Sequence, residues 1–253
     1  MPTTSTIHDD GIAEVVMENP PVNALTVAGW FDLADTIGQL GRSADVHVVV
    51  LRAEGRGFNA GVDIKEMQAT EGFDALIGAN RGCYAAFAAV YDCPVPVVAA
   101  VNGYCLGGGI GLVGNADIIV ASDDATFGLP EVDRGALGAA THLSRLVPQH
   151  RMRAMVYTSA TATAQELHHY GSVHAVVPQA ELRAAAFEVA GQIAAKSPTV
   201  IRAAKESLNG IDPWDVKRSY RFEQGFTFEL NLAGVADEHR DAFVAKRDTD
   251  TRR

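Results

Sequence analysis

Cysteine is scarce. The chain has three in 253 residues, and Cys83, Cys93 and Cys105 show no C-x-x-C spacing. That excludes a disulfide scaffold, makes a reducing cytoplasm the expected compartment and leaves the thiols as packing residues. Basic residues are also few: 21 Lys and Arg face 31 Asp and Glu, for a net charge of −10. A sequence-independent grip on nucleic acid or on an anionic membrane needs a basic face, so neither partner is expected. An anionic small molecule, held by a few local cations and backbone amides, remains open. No apolar run approaches the ~18 residues of a membrane span. The opening Met-Pro-Thr-Thr-Ser-Thr lacks the basic and apolar regions of a signal peptide. No repeat, charge block or low-complexity stretch interrupts the chain. His168, His169 and His174 carry no metal-ligand motif, so no metal is expected. The absence of G-x-S-x-G argues against a serine hydrolase.

What is present is ordinary for a globular protein: 47% hydrophobic and 21% charged residues. This length suits one large domain, or one with an appendage, able to bury about 70–75% of its unfolded surface. Glycine stands out, with 24 copies. It is costly inside regular elements, so its clusters require a reason.

Apolar runs of strand length occur at Gly11–Glu18, Val46–Leu51, Val97–Val101, Asp117–Ala121 and Val173–Val177. Between them lie helical spacings: Val27, Trp30, Phe31, Ala34 and Ile37, with Thr26 as a candidate N-cap, and Gly82–Tyr91. Strands apolar on both faces and separated by helices indicate an α/β protein with mostly parallel pairing. From Leu182 the pattern turns helical, clearest at Ala184–Ala195 and Val200–Leu208, and continues past Trp214. The expected organisation is an α/β core over 1–195 and a helical C-terminal region over 196–253. Without an evident linker, that region packs on the core or on a neighbouring subunit.

Gly109-Ile-Gly111-Leu-Val-Gly114 matches G-x-G-x-x-G, but the context is wrong for a dinucleotide. The first glycine does not follow a strand directly, and the next strand begins too soon for a crossover helix. The better reading makes Gly107-Gly108-Gly109 the first turn of a short helix. Its amides have no intrahelical partner, and glycine lets a ligand approach them. Close helix-to-strand packing explains the glycines equally well. A second glycine loop, Arg52–Met67, follows another buried strand. Two such loops at the carboxyl ends of neighbouring strands form the usual binding crevice, and two backbone N–H groups are the minimum for an oxyanion hole.

The segments GRGFNAGVDIKEM, PVPVVAAVNGYCLGGGIGLVGNADIIVASDDATFGLPEV and GALGAATHLSRLVP resemble the crotonase, or enoyl-CoA hydratase/isomerase, family over nearly the whole chain. TEGFDALIGANRGC and EQGFTFELNLAGVADEHRDAFV resemble members that open a steroid-derived ring. The resemblance implies a spiral of repeated ββα units with a helical C-terminal trimerisation region, and a homotrimer or a hexamer formed as a dimer of trimers. It implies an acyl-CoA substrate and no cofactor beyond that CoA moiety. By the family's pattern, Val62 and Gly108 supply the oxyanion donors, and the loop Ala60, Gly61, Asp63 and Ile64, with Ala24, holds the adenine. Asn59 stands where Cys or Ser is common, which implies a more polar pocket wall.

Hydratases of the family carry two glutamates. The one that follows the triple glycine by two residues is replaced here by Gly111, and the one in F-G-x-P-E is retained as Glu131. Adding water across a double bond needs both water activation and proton delivery to carbon. The loss therefore points away from hydration, and Gly111 is expected to make room for a bulky ring. The expected chemistry is hydrolytic C–C ring opening of a bicyclic CoA thioester, with Glu131 activating water. Hydration or isomerisation by Glu131 alone, and a non-catalytic CoA-binding protein, are the alternatives. Asp63 reads as the cap of the segment starting at Ile64. His142 either faces the pocket or is hydrogen-bonded scaffold. Arg52, Arg56 and Lys65 lie near the implied CoA path. Arg240, Lys246 and Arg247 are candidates for its nucleotide phosphate, though for any one of these cations taken singly solvated surface is the preferred reading.

Overall fold

The computed structural model describes residues 3–245. The first half alternates strands and helices: β1 (Thr3–Ile7), β2 (Ile12–Met17), α1 (Val27–Arg42), β3 (Val48–Ala53), α2 (Ile64–Ala69), α3 (Asp74–Tyr91), β4 (Val97–Val101), β5 (Tyr104–Leu106), α4 (Gly108–Val113), β6 (Ile118–Ser122) and β7 (Thr126–Gly128). There follow α5 (Ala140–Leu143), α6 (Gln149–Thr158), β8 (Thr161–Thr163), α7 (Ala164–His169) and β9 (Ala175–Val177). Four helices end the described chain: α8 (Leu182–Ala194), α9 (Pro198–Ile211), α10 (Val216–Leu232) and α11 (Val235–Val244). No helix among the described residues is long and apolar enough to cross a membrane.

The strands form two sheets. The larger has the order β1-β2-β3-β4-β6-β9, parallel except for the β1–β2 pair. The smaller is β5-β7-β8. Each turn of the spiral passes from the large sheet to the small one and then into a helix, as in β4–β5–α4 and β6–β7–α5. In the preceding turn, after β3, single bridges replace the second strand: Asn59 pairs with Cys105, and Val62 with Leu25. The spiral stacks these connections side by side, and that stacking brings the two glycine loops together.

Burial on both faces explains the continuous apolar runs. Val49, Leu51, Val97 and Ala99 point into the main core with Trp30, Leu33 and Ile37 of α1. Val48, Val50, Val98 and Ala100 point the other way and are covered by Leu182, Ala186 and Ala190 of α8. The Thr26 side chain caps α1 by accepting from Gly29 N–H at 3.1 Å.

Several elements differ from expectation. Helix α3 begins at Asp74, eight residues before the expected Gly82, because Leu76 and Ala79 extend its buried face. Strands β5, β7 and β8 have three residues each, too short for a run to register. Strand β1 is a polar edge strand, TTSTI, with Thr4–Thr6 exposed. Helix α9 is fastened by polar contacts. Lys205 Nζ lies 2.6 Å from Asp117 Oδ2, and Arg202 donates to the carbonyls of Gly41, Ser43 and Val46. Its Val200, Leu208 and Ile211 face outward. Helix α10 returns across the open side of the core, burying Tyr220, Gln224, Thr227 and Asn231.

Candidate active site

The two glycine loops meet as the sequence suggests. Gly61, at φ +88°, lies so close to α4 that a Cβ there would be 3.3 Å from Gly108 N. Leu25 brackets Val62: Leu25 N–H donates to Gly61 O, and Asp63 N–H donates to Leu25 O, both at 2.9 Å. Among the described residues, Val62 N–H and Gly108 N–H donate no hydrogen bond. Both residues line one cleft, and the cleft encloses about 950 Å³ of unfilled space with its mouth included.

Asn59 organises this arrangement from below. It is fully buried. Its Oδ1 accepts from Gly61 N–H at 2.8 Å, and its Nδ2 donates to Asn23 O at 2.6 Å. Asn23 in turn donates to the carbonyls of Glu54 and Gly57. The expected polar pocket wall is therefore corrected: Asn59 does not line the cleft, and its amide is consumed in shaping the loop.

Glu131 enters from the turn after β7. The turn Val132–Arg134 starts at this residue. Gly107, at φ +57°, makes room for the carboxyl group, since a Cβ there would be 2.7 Å from Glu131 Oε1. Oε2 is buried and has no hydrogen-bond partner among the described residues. Burial pushes the carboxyl group up to about 7, while its own backbone and the charge of Arg134 act in the opposite direction. A carboxyl group near neutrality can both take and return a proton at working pH. Two unused amide donors beside it can hold a developing oxyanion.

The rest of the wall is mostly apolar. Leu76, Ala79, Asn80, Cys83 and Phe87 come from one face of α3, and Tyr220, Thr227 and Asn231 from α10. Helix α10 is locked down by Glu223, which accepts from Ala140 N–H at 2.9 Å and Thr141 N–H at 2.5 Å, and also from the Thr141 hydroxyl. Helical spacing along α3 could have revealed its contribution. Nothing in the sequence gives the return of α10.

Two further expectations are corrected. His142 does not reach the cleft. It is buried behind Phe87 and Tyr220, with ring centroids at 5.1 and 5.0 Å, and its Nδ1 lies 3.1 Å from Asn115 Nδ2. Because Asn115 Nδ2 also donates to Gly111 O, the amide faces the ring with its donor, so Nδ1 accepts and Nε2 carries the hydrogen. Burial, with the charge of Arg145, pushes this imidazole down to about 3, so it is neutral. Gly111 does not enlarge the cleft either, because the Phe87 ring fills the space a side chain there would take.

Of the residues implied for CoA, Ala60, Gly61 and Ile64 line the cleft. Asp63 does not. Its side chain caps α2 through Lys65 N–H, and its carbonyl accepts from Met67 N–H. Ala24 sits behind Leu25, and its carbonyl accepts from Asn19. Arg52 is held by Glu14 and Glu54. Lys65 is exposed. Arg240 lines the cleft and donates to Asn231 Oδ1 at 2.7 Å and to Asp237. Lys246 and Arg247 lie outside the described residues. No group of three or more His, Cys, Asp or Glu that could hold a metal occurs among the described residues.

Residues 8–250 match the enoyl-CoA hydratase/isomerase family. The chain belongs to that family. It is 70% identical over 244 residues to a Rhodococcus jostii protein named (7aS)-7a-methyl-1,5-dioxo-2,3,5,6,7,7a-hexahydro-1H-indene-carboxyl-CoA hydrolase, covering 96% of this chain and 95% of the relative. A Mycobacterium tuberculosis protein of the same name is 69% identical over 97% of this chain and 100% of its own. Among solved structures, human enoyl-CoA hydratase domain-containing protein 3 superposes with a TM-score of 0.79 at 31% identity, covering 98% of this chain and 99% of that one. An enoyl-CoA hydratase from Mycobacterium avium subsp. paratuberculosis shares the fold at a TM-score of 0.88 and 23% identity, over 100% and 99% of the two chains.

Proposed function

We propose that this family member is a CoA-thioester hydrolase that opens a carbocycle by C–C cleavage, acting on the bicyclic dioxo-hexahydroindene-carboxyl-CoA class that the relatives' names describe, which we read as steroid-derived. The observation that carries the mechanism is the meeting of Glu131 with two unused amides in an otherwise mostly apolar cleft. The thioester oxygen rests on Val62 N–H and Gly108 N–H. Glu131 takes a proton from water, and the hydroxide adds to the ring ketone. The adduct collapses and breaks the bond to the adjacent ring carbon. The electron pair passes through the conjugated ring alkene into the thioester, and the enolate oxygen is stabilised by the two amides. Glu131 returns its proton to carbon, and the former ketone carbon becomes a carboxylic acid that stays attached through its remaining ring bond. No cofactor beyond the CoA moiety enters this scheme.

Incubation with the bicyclic CoA ester is expected to give a product heavier by one water, and Glu131→Gln is expected to abolish it. Rapid hydration of crotonyl-CoA without ring opening would overturn the assignment. Tight CoA binding with no turnover on any thioester would instead favour a binding protein.

The same reading includes a homotrimer, alone or paired into a hexamer, assembled through the helical C-terminal region. The outward-facing Val200, Leu208 and Ile211 of α9 and Phe222 and Phe226 of α10 support it as apolar surface suited to subunit contact. Light scattering should read three or six chain masses. A cytoplasmic location accords with three buried, unbridged cysteines.

A further inference from the structure

Hydrolytic ring opening changes the charge of the bound ligand. A neutral ketone becomes a carboxylic acid, which ionises at neutral pH. The product thus gains an anion that the substrate lacks, and it forms beside Glu131. Two carboxylates in a mostly apolar cleft disfavour each other's charge.

The cleft wall carries a cation suited to this change. Arg134 lies three residues after Glu131, on the same tight turn, and is half-buried in the same cavity. Its charge acts on both Glu131 and Asp133. The turn is clamped from outside by α11: a Cβ on Gly135 would lie 2.9 Å from Ala236 Cα, and His239 Nδ1 sits 3.1 Å from Asp133 O. The other arginine of the wall, Arg240, is engaged by Asn231 and Asp237 and borders the region of Met67, Gln68 and Asp241. It is not among the charges that act on Glu131.

We propose that Arg134 is the binding residue for the carboxylate that ring opening creates, making the cleft selective for the opened product's acid group. The inference rests on the hydrolytic reading above. It does not require an otherwise idle guanidinium, because arginine presents five N–H donors and can hold a second carboxylate beside existing contacts. It gives the product's new charge a fixed partner, so that Glu131, which has returned its proton to carbon, stays ionised beside it for the next cycle.

The test compares binding of two CoA esters, the ring-opened acid and its neutral primary amide, by calorimetry. Wild-type protein is expected to prefer the acid by at least tenfold. Arg134→Gln should bind acid and amide within about twofold of each other, and Arg134→Lys should keep part of the preference. Retention of the full acid preference by Arg134→Gln would overturn the inference. Should that variant fail to fold, equal affinity of the wild type for acid and amide overturns it equally well. Failure of the hydrolytic reading is seen separately, as absence of ring-opened product from wild-type enzyme, and the binding comparison can still be made with synthetic esters.

Discussion

The Phe87 ring lies against Gly111 so closely that a Cβ at position 111 would sit 2.1 Å from Phe87 Cζ. The ring also makes an edge-on contact with Trp30, centroids 5.7 Å apart, and Trp30 in turn abuts Gly108, where a Cβ would be 2.7 Å from its indole. The short helix that carries the Gly108 amide is thus seated on two aromatic rings, and glycine at 108 and 111 permits the contact.

Gly111→Ala should therefore destabilise the protein by about 1–3 kcal/mol through overpacking, although alanine is otherwise the better helix former by roughly 1 kcal/mol. It should also lower kcat/KM, because the displaced ring lines the cleft. Phe87→Leu in the same chain should recover much of both losses. Urea unfolding and kinetics on the wild type, the two single variants and the double variant form the measurement. Strictly additive effects would mean that the two residues are not in contact.

Glu131 sets the pH dependence of turnover. As a base it must be ionised, and burial raises it to about 7. The kcat/KM profile should accordingly rise with pH through about 7 and flatten above it. Arg134 holds this carboxyl group down, so Arg134→Gln should move the rising limb to higher pH. A limb left in place would show that the charge of Arg134 does not reach Glu131.

Asn59 shapes the amide loop without touching the cleft. Asn59→Ala leaves the Gly61 N–H and the Asn23 carbonyl without their buried partner, at a cost of about 1–3 kcal/mol for each group. Val62 N–H would then lose its fixed direction. Complete loss of one oxyanion donor costs about 2.7–4 kcal/mol of transition-state stabilisation, so a misdirected donor should lower kcat by tenfold or more. KM should change less, because the apolar walls are untouched. A rise in KM with kcat unchanged would place Asn59 in ground-state binding instead.

The large sheet was legible because burial on both faces leaves unbroken apolar runs, as at β3 and β4. The two glycine loops and Glu131 were legible from their motifs. The wall opposite them was not. Phe87 reaches Gly111 across 24 positions of sequence, and α10 meets α5 through Glu223 and Thr141, which lie 82 positions apart. Such contacts are set by the spiral's stacking, which no local pattern records. The role of Asn59 was misread for a related reason. A polar residue in a pocket motif suggests a pocket wall, whereas full burial turns its amide toward unsatisfied backbone groups.

Glu14 supplies an acid-sensitive fastening on the far face of the sheet. Its carboxylate accepts from Arg183 at 2.7 and 2.8 Å and from Arg52 at 2.5 Å, and His8 lies at 3.2 Å. The hydrogen bonds from Arg183, against the opposing effect of burial and with help from Arg52, bring the group down to about 2 from an ordinary 4.5. A carboxylate lowered in the folded state adds stability that is complete above the unfolded value and vanishes as pH falls through the folded one. The contribution is therefore full above about 4.5 and lost towards 2. Glu14→Gln should cost on the order of 1–3 kcal/mol at neutral pH, toward the lower figure because the Arg183 side chain is half exposed and screened by solvent. Urea unfolding of the two proteins at pH 7 and at pH 3 should show the gap narrowing with acid. A gap that stays constant would mean that Glu14 contributes by packing and not by charge.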